Sequence, residues 1–477
     1  MKWFWALTVF AFVVLGAAAV WMGGLNQDEG WYLYAANLCA EGKMLYRDFF
    51  YTQGPGMPNF YKAFTWIWGT WGLLGARVFT LALGFVGIAF ATGLARHLAP
   101  EGRKGEAALI TFMLLGCNLY HLYYVVIPKT YALASMFVMM GFFLLTVGKK
   151  QIFVFGAGLV LAYAAGTRIS LGALLCVVGL WLLLSKQWKP LFCFCIGGFG
   201  GLAIVYGPYL CDAGARAGLI AAQQYHAARG GFDLVWAVGS LSRLVRWYLP
   251  VFIVLGLGVA GARRTSGTGV LLWGFLAVFA VQMLAPFPYE DYQVPIMGLL
   301  AAYAAVKFVS IDRGWKALLV LGLCFASSFG SPLLEKWMTN GQDRFWSLKK
   351  EKCELAQLRD VARRIEQQDP GGKMLLTQDL YLAIETGRKV PKGLEMGPFA
   401  MLSDGEWKDL LTDTAPAECR IAALSGYAFA VEPPVCKERS IEKQMEYWTR
   451  LKQNYKLVDR EEQFGQNATT LLMLKRK

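Results

Sequence analysis

Apolar runs of the length that crosses a bilayer fill the first 331 residues of this 477-residue chain. A spanning helix needs about 20 predominantly apolar residues, and eleven runs approach that length. The pattern predicts a polytopic α-helical membrane protein with about eleven transmembrane helices. The runs cover residues 3–22, 73–95, 106–126, 130–148, 151–167, 169–185, 190–211, 247–262, 268–285, 294–310 and 315–331.

Charge divides the chain into two parts. Residues 332–477 hold 24 Lys and Arg with 22 Asp and Glu, whereas residues 1–331 hold only 23 and 11. An ordinary soluble domain carries about 25% charged residues, a level that only the second part reaches. We therefore predict a membrane domain over 1–331 and a soluble α/β domain over 332–477. The second part is nearly neutral, which excludes a basic nucleic-acid-binding arm, so no nucleic-acid partner is expected.

Basic residues in short loops indicate which side of the membrane faces the cytoplasm. With the N-terminus inside, five alternate connections each contain Lys or Arg, and an odd number of spans then places 332–477 outside. No acid falls at the centre of a run, whereas transporters usually place ionisable groups near the midplane. This distribution favours chemistry at the outer membrane surface. The predicted outer acids are Asp28, Glu29, Glu41, Asp48, Asp212, Asp233, Glu290 and Asp291.

The first outer loop, residues 23–72, begins with two adjacent acids, Asp28 and Glu29. Aromatic residues at helical spacing predict an interfacial helix over 30–40, which Gly42 would end, and a second interfacial stretch over 60–71. One interpretation makes Asp28 the N-cap of the first helix, with Glu29 in its first turn. The other makes Asp28 a general base that is presented to a lipid-linked substrate. The two interpretations are compatible, and both remain open.

These features together resemble the GT-C superfamily, and most closely the bacterial relatives of protein O-mannosyltransferases and of the aminoarabinose transferase that modifies lipid A. The resemblance rests on the acids after the first run, the aromatic helix, the Tyr-Arg-Asp-Phe stretch at 46–49 and the Pro/Gly turn at 54–58. It continues through Gly-Ala-Arg-Val at 75–78, Thr-Arg-Ile at 167–169 and residues 286–295, and weakly through 377–397. It covers about residues 1–331.

The resemblance implies an inverting glycosyltransferase, with a sugar on a polyprenyl phosphate as its donor. Asp28 would deprotonate an acceptor hydroxyl, and Glu29 would orient the acceptor or the donor. The protein would be a multi-pass protein of the bacterial inner membrane, with its active site and residues 332–477 on the periplasmic or other extracytoplasmic side. The acceptor, which could be a glycan, a lipid or a protein, is not defined by the sequence.

The leaving group of such a reaction is an isoprenoid phosphate, so a cation near the outer ends of the spans must stabilise it. Arg77 matches the family's second-span arginine and is the preferred candidate, while Lys129 lies in a short outer turn. For Arg168, Arg243 and Arg246, snorkelling to lipid phosphates is an equally good explanation. The five candidates for binding the donor phosphate are Arg77, Lys129, Arg168, Arg243 and Arg246.

Further polar residues of the outer segments are candidates for substrate binding. Glu290 and Asp291 occupy a short turn where family members place donor-binding residues, although a solvated turn explains them equally well. The surface loop around Asp48 has a similarly ordinary explanation. The full set of substrate-binding candidates is Tyr32, Asp48, Gln53, Glu290, Asp291 and Tyr292.

A tightly held transition metal is not expected, because the chain has three His and its ten Cys lack metal-site spacing. The His residues are His97, His121 and His226. Mg²⁺ or Mn²⁺ held by Asp28, Glu29 and the donor phosphate remains open, since hard cations take carboxylate and phosphate oxygens.

The tail alternates between helical and strand patterns. An amphipathic helix is predicted over 342–368, and a strand over 374–376 precedes a short helix that Asp379 caps and Gly387 closes. Further strands are predicted over 420–425, 456–459 and 470–474. Cys419 and Cys436 could pair in an oxidising compartment. Residues 467–469 form a glycosylation sequon by pattern alone.

Two other functions remain open at this point. The same fold could transfer an oligosaccharide or a polymer in place of a single sugar. A transporter or flippase for lipid-linked sugars would instead need a polar route lined by ionisable groups at mid-depth, and the sequence offers none.

Overall fold

The apolar runs of the sequence form helices in the computed structural model. Residues 2–148, 150–227, 231–261, 267–310, 315–324, 326, 353–397, 418–425, 449, 451–466 and 468–477 are described. All eleven runs fall on helical residues, the last of them through 316–324 and 326. The helices up to residue 308 are α1 (Lys2–Met22), α2 (Gln27–Ala40), α3 (Gly56–Tyr61), α4 (Thr65–Leu98), α5 (Lys104–Gly116), α6 (Leu119–Val126), α7 (Thr130–Val147), α8 (Gln151–Thr167), α9 (Gly172–Leu184), α10 (Trp188–Cys211), α11 (Ala213–Ala227), α12 (Leu234–Trp247), α13 (Leu249–Gly261), α14 (Gly269–Met283) and α15 (Met297–Phe308).

Some of these helices can cross a membrane by length and composition. Among the described residues four pass that test, namely α1, α4 with the preceding α3, α7 and α10. The number rises to six when the pairs α5–α6 and α12–α13, bent by 68° and 80°, each count as one span. Shorter apolar helices such as α8, α9 and α14 accompany them. The fold is therefore that of a helical protein with several helices long and apolar enough to cross a membrane, and the count of eleven stays a prediction.

A kink in α4 joins the second predicted interfacial stretch to the second apolar run. Gly72 lies inside α4 with φ 63° and ψ −153°, a conformation that glycine adopts without steric cost. The carboxylate of Glu385, from the tail, accepts a hydrogen bond of 2.8 Å from the backbone N–H of Leu73. A Cβ added at Gly72 would lie 2.3 Å from that carboxylate. The kink therefore ends the interfacial stretch over 60–71 and lets the tail cap the span that follows.

Helices α8 and α10 pack closely because glycines line their contact. A Cβ on Gly197 of α10 would lie 2.1 Å from the carbonyl oxygen of Phe155, and one on Gly158 of α8 would lie 2.3 Å from that of Phe194. One turn further along α10, Gly201 faces Leu159 and Ala162 in the same way. Small residues at such spacing let helix backbones approach each other. This contact fixes the C-terminal end of α8, where Arg168 is the C-cap residue.

The tail contains the predicted small sheet. Helices α16 (Glu354–Gln368) and α17 (Leu380–Thr386) accompany strands β1 (Ile421–Ser425), β2 (Tyr455–Phe464) and β3 (Thr469–Arg476). The strands form an antiparallel sheet in the order β1-β3-β2. Residues 374–376, predicted as a strand, form only isolated bridges. One of them pairs Leu376 with Ala422 of β1. Gly387, with φ 66°, closes α17 as predicted. Residues 342–352, Cys436 and Asn467 lie outside the described residues.

The tail packs directly on the first outer loop. The backbone of Tyr381 approaches Gly30 so closely that a Cβ on Gly30 would lie 2.1 Å from the Tyr381 nitrogen. The hydroxyl of Tyr34 accepts a hydrogen bond of 3.0 Å from the backbone N–H of Val390. At the start of α2, the backbone N–H of Gln27 donates to the side chain of Gln466 at 2.8 Å. The tail therefore covers the face of α2 that leads to the two acids.

Candidate active site

Helix α2 begins earlier than the sequence pattern predicts, and its cap is a different residue. The side chain of Asn26 accepts a hydrogen bond of 3.0 Å from the backbone N–H of Asp28, and the backbone N–H of Asn26 donates to Glu29 at 2.9 Å. This reciprocal pair is a capping box. The interpretation of Asp28 as the N-cap is therefore wrong, and so is the predicted start at residue 30. Both acids lie inside the first turn.

Glu29 and Arg77 form a buried clamp. Neither side chain is exposed, and the guanidinium donates to both carboxylate oxygens of Glu29 at 2.7 Å. The remaining donors of Arg77 bond the backbone carbonyls of Val20, Gly23 and Gly24, at 2.9 to 3.1 Å. All five N–H groups of Arg77 are thus engaged. The prediction that Arg77 binds the donor phosphate does not fit this geometry, because no donor is left; Arg77 instead ties the exit of α1 to the start of α2.

Asp28 lies beside this clamp and remains accessible. Its side chain is 23% exposed. The indole N–H of Trp31 donates to Oδ1 at 2.9 Å, and the ammonium of Lys129 lies 2.8 Å from Oδ2. One carboxylate oxygen is therefore held by a neutral donor and the other by a cation. This arrangement orients the carboxylate while it leaves one face open.

Lys129 connects Asp28 to a second carboxylate. Its ammonium lies 3.3 Å from Oδ2 of Asp291, which also accepts a hydrogen bond of 2.8 Å from the hydroxyl of Tyr131. The same ammonium lies 4.9 Å from the centre of the Tyr131 ring. Burial alone would lower the pKa of Lys129, but Asp28, Tyr131 and Asp291 outweigh it and raise that pKa well above its ordinary value. Lys129 is therefore a cation at neutral pH, between two carboxylates.

Arg168 approaches the same place from the end of α8. Its guanidinium donates to the hydroxyl of Thr130 at 3.1 Å and lies over the rings of Tyr131 and Tyr292, at 4.8 and 4.9 Å from their centres. Its Nε is buried and has no hydrogen-bond partner among the described residues. Arginine engaged mainly with ring faces keeps N–H groups for another acceptor. Arg168 and Lys129 thus place two cations around Tyr131, and Lys129 is the one in contact with Asp28.

Several predicted residues have partners other than Asp28, Lys129 and Arg168. Arg243 pairs with Glu290 at 3.0 Å, and Arg246 lies over the ring of Trp247 at 4.5 Å. Asp48 pairs with its neighbour Arg47 at 2.9 Å on the exposed loop. Glu290 and the adjacent Asp291 therefore have different cationic partners, Arg243 and Lys129.

The other two substrate-binding candidates have different surroundings. Tyr32 is buried and stacks on Trp31, with ring centres 3.7 Å apart; burial raises its pKa, so the phenol remains protonated. The backbone carbonyl of Gln53 accepts a hydrogen bond of 2.5 Å from the hydroxyl of Tyr46. Tyr32 thus lines the wall behind Asp28, whereas Gln53 lies in the following turn.

The sequence reasoning missed Trp31, Thr130 and Tyr131. Trp31 lies three residues after Asp28, a spacing that brings side chains together on a helix, so that signal was present in the sequence. Thr130 and Tyr131 directly follow Lys129, but only the approach of Arg168 and Asp291 in three dimensions shows their use. These three side chains orient the charged groups.

The acids do not fit a divalent cation shared by Asp28 and Glu29. Both oxygens of Glu29 are buried and occupied by Arg77 and the backbone of Asn26. Within the part of the chain that the structure describes, no group of three or more His, Cys, Asp or Glu side chains could hold a metal ion. His121 is buried and its Nδ1 lies 2.9 Å from the hydroxyl of Tyr248. We derive no step through a metal.

Comparison with known proteins identifies the fold. No family model matches the sequence, and no curated protein matches it. Among solved structures, ArnT from Cupriavidus metallidurans bound to undecaprenyl phosphate is 14% identical, with a TM-score of 0.62 over 98% of this chain and 97% of that one. The apo state of the same protein gives 13% identity and a TM-score of 0.59 over the same shares. This chain has the GT-C fold.

The predicted GT-C architecture is thereby confirmed at the level of the fold, along the whole length of both chains. An oligosaccharyltransferase from Archaeoglobus fulgidus, tethered to an acceptor peptide, is 10% identical over 96% of this chain and 73% of that one, with a TM-score of 0.48. The fold of this chain is shown by the two ArnT structures.

Proposed function

We propose that this GT-C protein is a membrane glycosyltransferase that moves a sugar from a polyprenyl phosphate to an acceptor hydroxyl. The observation that carries the proposal is the position of Asp28, partly exposed and 2.8 Å from Lys129, at the start of the first outer helix. The similar fold of ArnT, whose structure holds undecaprenyl phosphate, supports a polyprenyl-phosphate donor. In this proposal the site and the tail face the extracytoplasmic side, and residues 1–331 and 332–477 act as membrane and tail domains.

The donor phosphate would bind between Lys129 and Arg168. Two cations suit an anion whose charge grows as the bond to the sugar breaks. Lys129 already has two carboxylate partners, Asp28 and Asp291. A phosphate that arrives here competes with Asp28 for the ammonium of Lys129. When the ammonium leaves Asp28, Asp291 can still hold it. Phosphate binding would therefore release Oδ2 of Asp28.

The released carboxylate would act as the general base. Trp31 holds Oδ1, so Oδ2 is the atom that accepts the proton of the acceptor hydroxyl. The acceptor oxygen then forms a bond to the anomeric carbon from the face opposite the phosphate, and the bond between that carbon and the phosphate oxygen breaks. The electron pair leaves with the polyprenyl phosphate, beside Lys129 and Arg168. One displacement inverts the anomeric centre.

The test is transfer by the purified protein from a panel of polyprenyl-phosphate monosaccharides, followed as release of polyprenyl phosphate. Asp28→Asn should lower kcat about 1000-fold, within the range that a general base supplies. Lys129→Met should lower it about 100-fold, because a charged contact to the leaving group is lost. The control is Asp48→Asn, at an exposed acid of the same loop, and it should change little.

Two results would contradict the proposal. Transfer retained by Asp28→Asn would remove Asp28 as the base. Flipping of lipid-linked sugar in reconstituted vesicles, without transfer from any donor of the panel, would instead show the transporter. Transfer only from donors that carry longer glycans would keep the reaction type and change the substrate.

A further inference from the structure

A cavity of about 500 Å³ lies at the C-terminal ends of α8 and α10, against residues 39–62 of the predicted first outer loop. Its loop side carries three basic residues, Lys43, Arg47 and Lys62. Its other side is formed by α10 and includes Ile204 and Pro208. The cavity therefore has a cationic rim and an apolar wall.

Two of the three basic residues of the rim have no ion-pair partner within 4 Å among the described residues. Arg47 pairs with Asp48 at 2.9 Å and with Asp212 at 3.2 Å. Lys43 and Lys62 are exposed and form no such pair, although Asp48 and Glu395 lie close enough to Lys43 to interact with its charge. Exposed ammonium groups at the mouth of one cavity can attract an anion.

The apolar wall faces the side where lipid chains would lie. Ile204 is 66% exposed on α10, one of the helices that can cross a membrane. Pro208, inside the same helix, has no N–H, so the carbonyl of Ile204 lacks its usual helical donor. A ligand hydroxyl can satisfy that carbonyl. The wall thus suits an acyl chain below and a polar group above.

Aromatic rings separate this cavity from Asp28. The ring of Tyr209, which lines the cavity, lies 5.3 Å from that of Tyr46, and Tyr46 lies 6.0 Å from Tyr51. Tyr51 in turn lies 5.4 Å from Trp31, the residue that bonds Asp28. The cavity is therefore not the place where the sugar would be transferred.

We propose that this cavity binds the phosphate-bearing headgroup of an anionic membrane lipid. The phosphate lies between Lys43 and Lys62, and an acyl chain lies along Ile204 and Pro208. A free phosphate offers the same anion without the chain, so the apolar wall is what selects a lipid. The site does not depend on the proposed catalysis, and it is tested by binding alone.

The test uses the full-length protein purified in a neutral detergent. Short-chain phosphatidylglycerol, short-chain phosphatidylcholine and inorganic phosphate are each titrated, and bound ligand is counted by native mass spectrometry. Phosphatidylglycerol should bind at least tenfold more tightly than either of the others. The double variant Lys43→Gln/Lys62→Gln should lose this preference. The double variant Lys150→Gln/Lys189→Gln, which removes two exposed lysines elsewhere, should keep it.

Three results would overturn the proposal. The first is unchanged phosphatidylglycerol binding by Lys43→Gln/Lys62→Gln, provided that this variant melts at the temperature of the wild type. The second is an equal loss in the control variant, which would show a general effect of charge. The third is inorganic phosphate binding as tightly as phosphatidylglycerol, which would show an anion site and no lipid site. A transferase with no activity would leave all three readouts intact.

Discussion

Removing one partner of the buried clamp between Glu29 and Arg77 should destabilise the protein strongly. Glu29→Gln leaves the guanidinium of Arg77 without its directly paired carboxylate and inaccessible to water. Arg77→Met leaves the Glu29 carboxylate buried with the Asn26 amide as its donor, and it removes three bonds to backbone carbonyls. Breaking a buried pair from one side costs about 3–5 kcal/mol. We expect Glu29→Gln at the lower end and Arg77→Met at or above the upper end.

The double variant Glu29→Gln/Arg77→Met should cost less than the sum of the two, because no buried charge is left unpaired. The coupling should be about 2–3 kcal/mol, near the upper end for residues in one network. The assay is unfolding in mixed micelles with increasing dodecyl sulfate, followed by tryptophan fluorescence. The control is the exposed pair of Arg47 and Asp48, whose side chains are 46% and 32% exposed; an exposed pair contributes about 0–1 kcal/mol.

A cost below about 1 kcal/mol for each single variant at the clamp, the range of an exposed pair, would contradict a buried ion pair here. Strict additivity of the two substitutions would refute it as well, because it would show that the charges do not compensate each other. A cost equal to that of the Arg47 and Asp48 control would mean that water reaches the clamp.

Two further predictions concern helix packing and the tail. Gly197→Leu should separate α8 from α10, because even a Cβ would lie 2.1 Å from the Phe155 carbonyl oxygen. Cysteine cross-linking between the two helices should therefore fall. The control Gly207→Leu, which has open space around it, should leave the cross-linking unchanged. Burial raises the pKa of Asp379 to about 6, above its unfolded value of about 4, so tail stability should fall as pH rises between those values. The protection of α17 amides from hydrogen exchange should fall over the same pH range. In the variant Asp379→Asn, this protection should no longer depend on pH.

Much of the fold could be predicted from the sequence, because length and composition determine where apolar helices form. The turn at Gly42 and the left-handed residue Gly387 ended their helices as predicted, since glycine adopts positive φ without strain. The strands β1, β2 and β3 lie near their predicted positions, because short apolar stretches bounded by polar residues are typical of strands that pack one face of a sheet. These are local signals, and they require no knowledge of distant contacts.

Except for Trp31, which lies three residues after Asp28, the partners within the site could not be predicted, because they join residues far apart in the chain. Arg77 and Glu29 are separated by 48 residues, and a second-span arginine is equally compatible with phosphate binding until its donors are counted. The start of α2 was misplaced for a different reason. Asn26 is a good cap, but Asp28 is one as well, and only the bond from the Asn26 backbone to Glu29 decides between them.

The adjacency of Asp28 and Glu29 explains why two similar acids have different surroundings. Consecutive residues on a helix point about 100° apart, so Glu29 enters the interior toward α4 while Asp28 faces the turn that holds Lys129. Glu29 is fully buried with both oxygens engaged, and it cannot reach an acceptor without breaking the clamp. Asp28 keeps an exposed face and an exchangeable partner in Lys129. Of the two acids, only Asp28 could exchange its counter-ion for the substrate of the proposed reaction, while Glu29 anchors the helix that carries it.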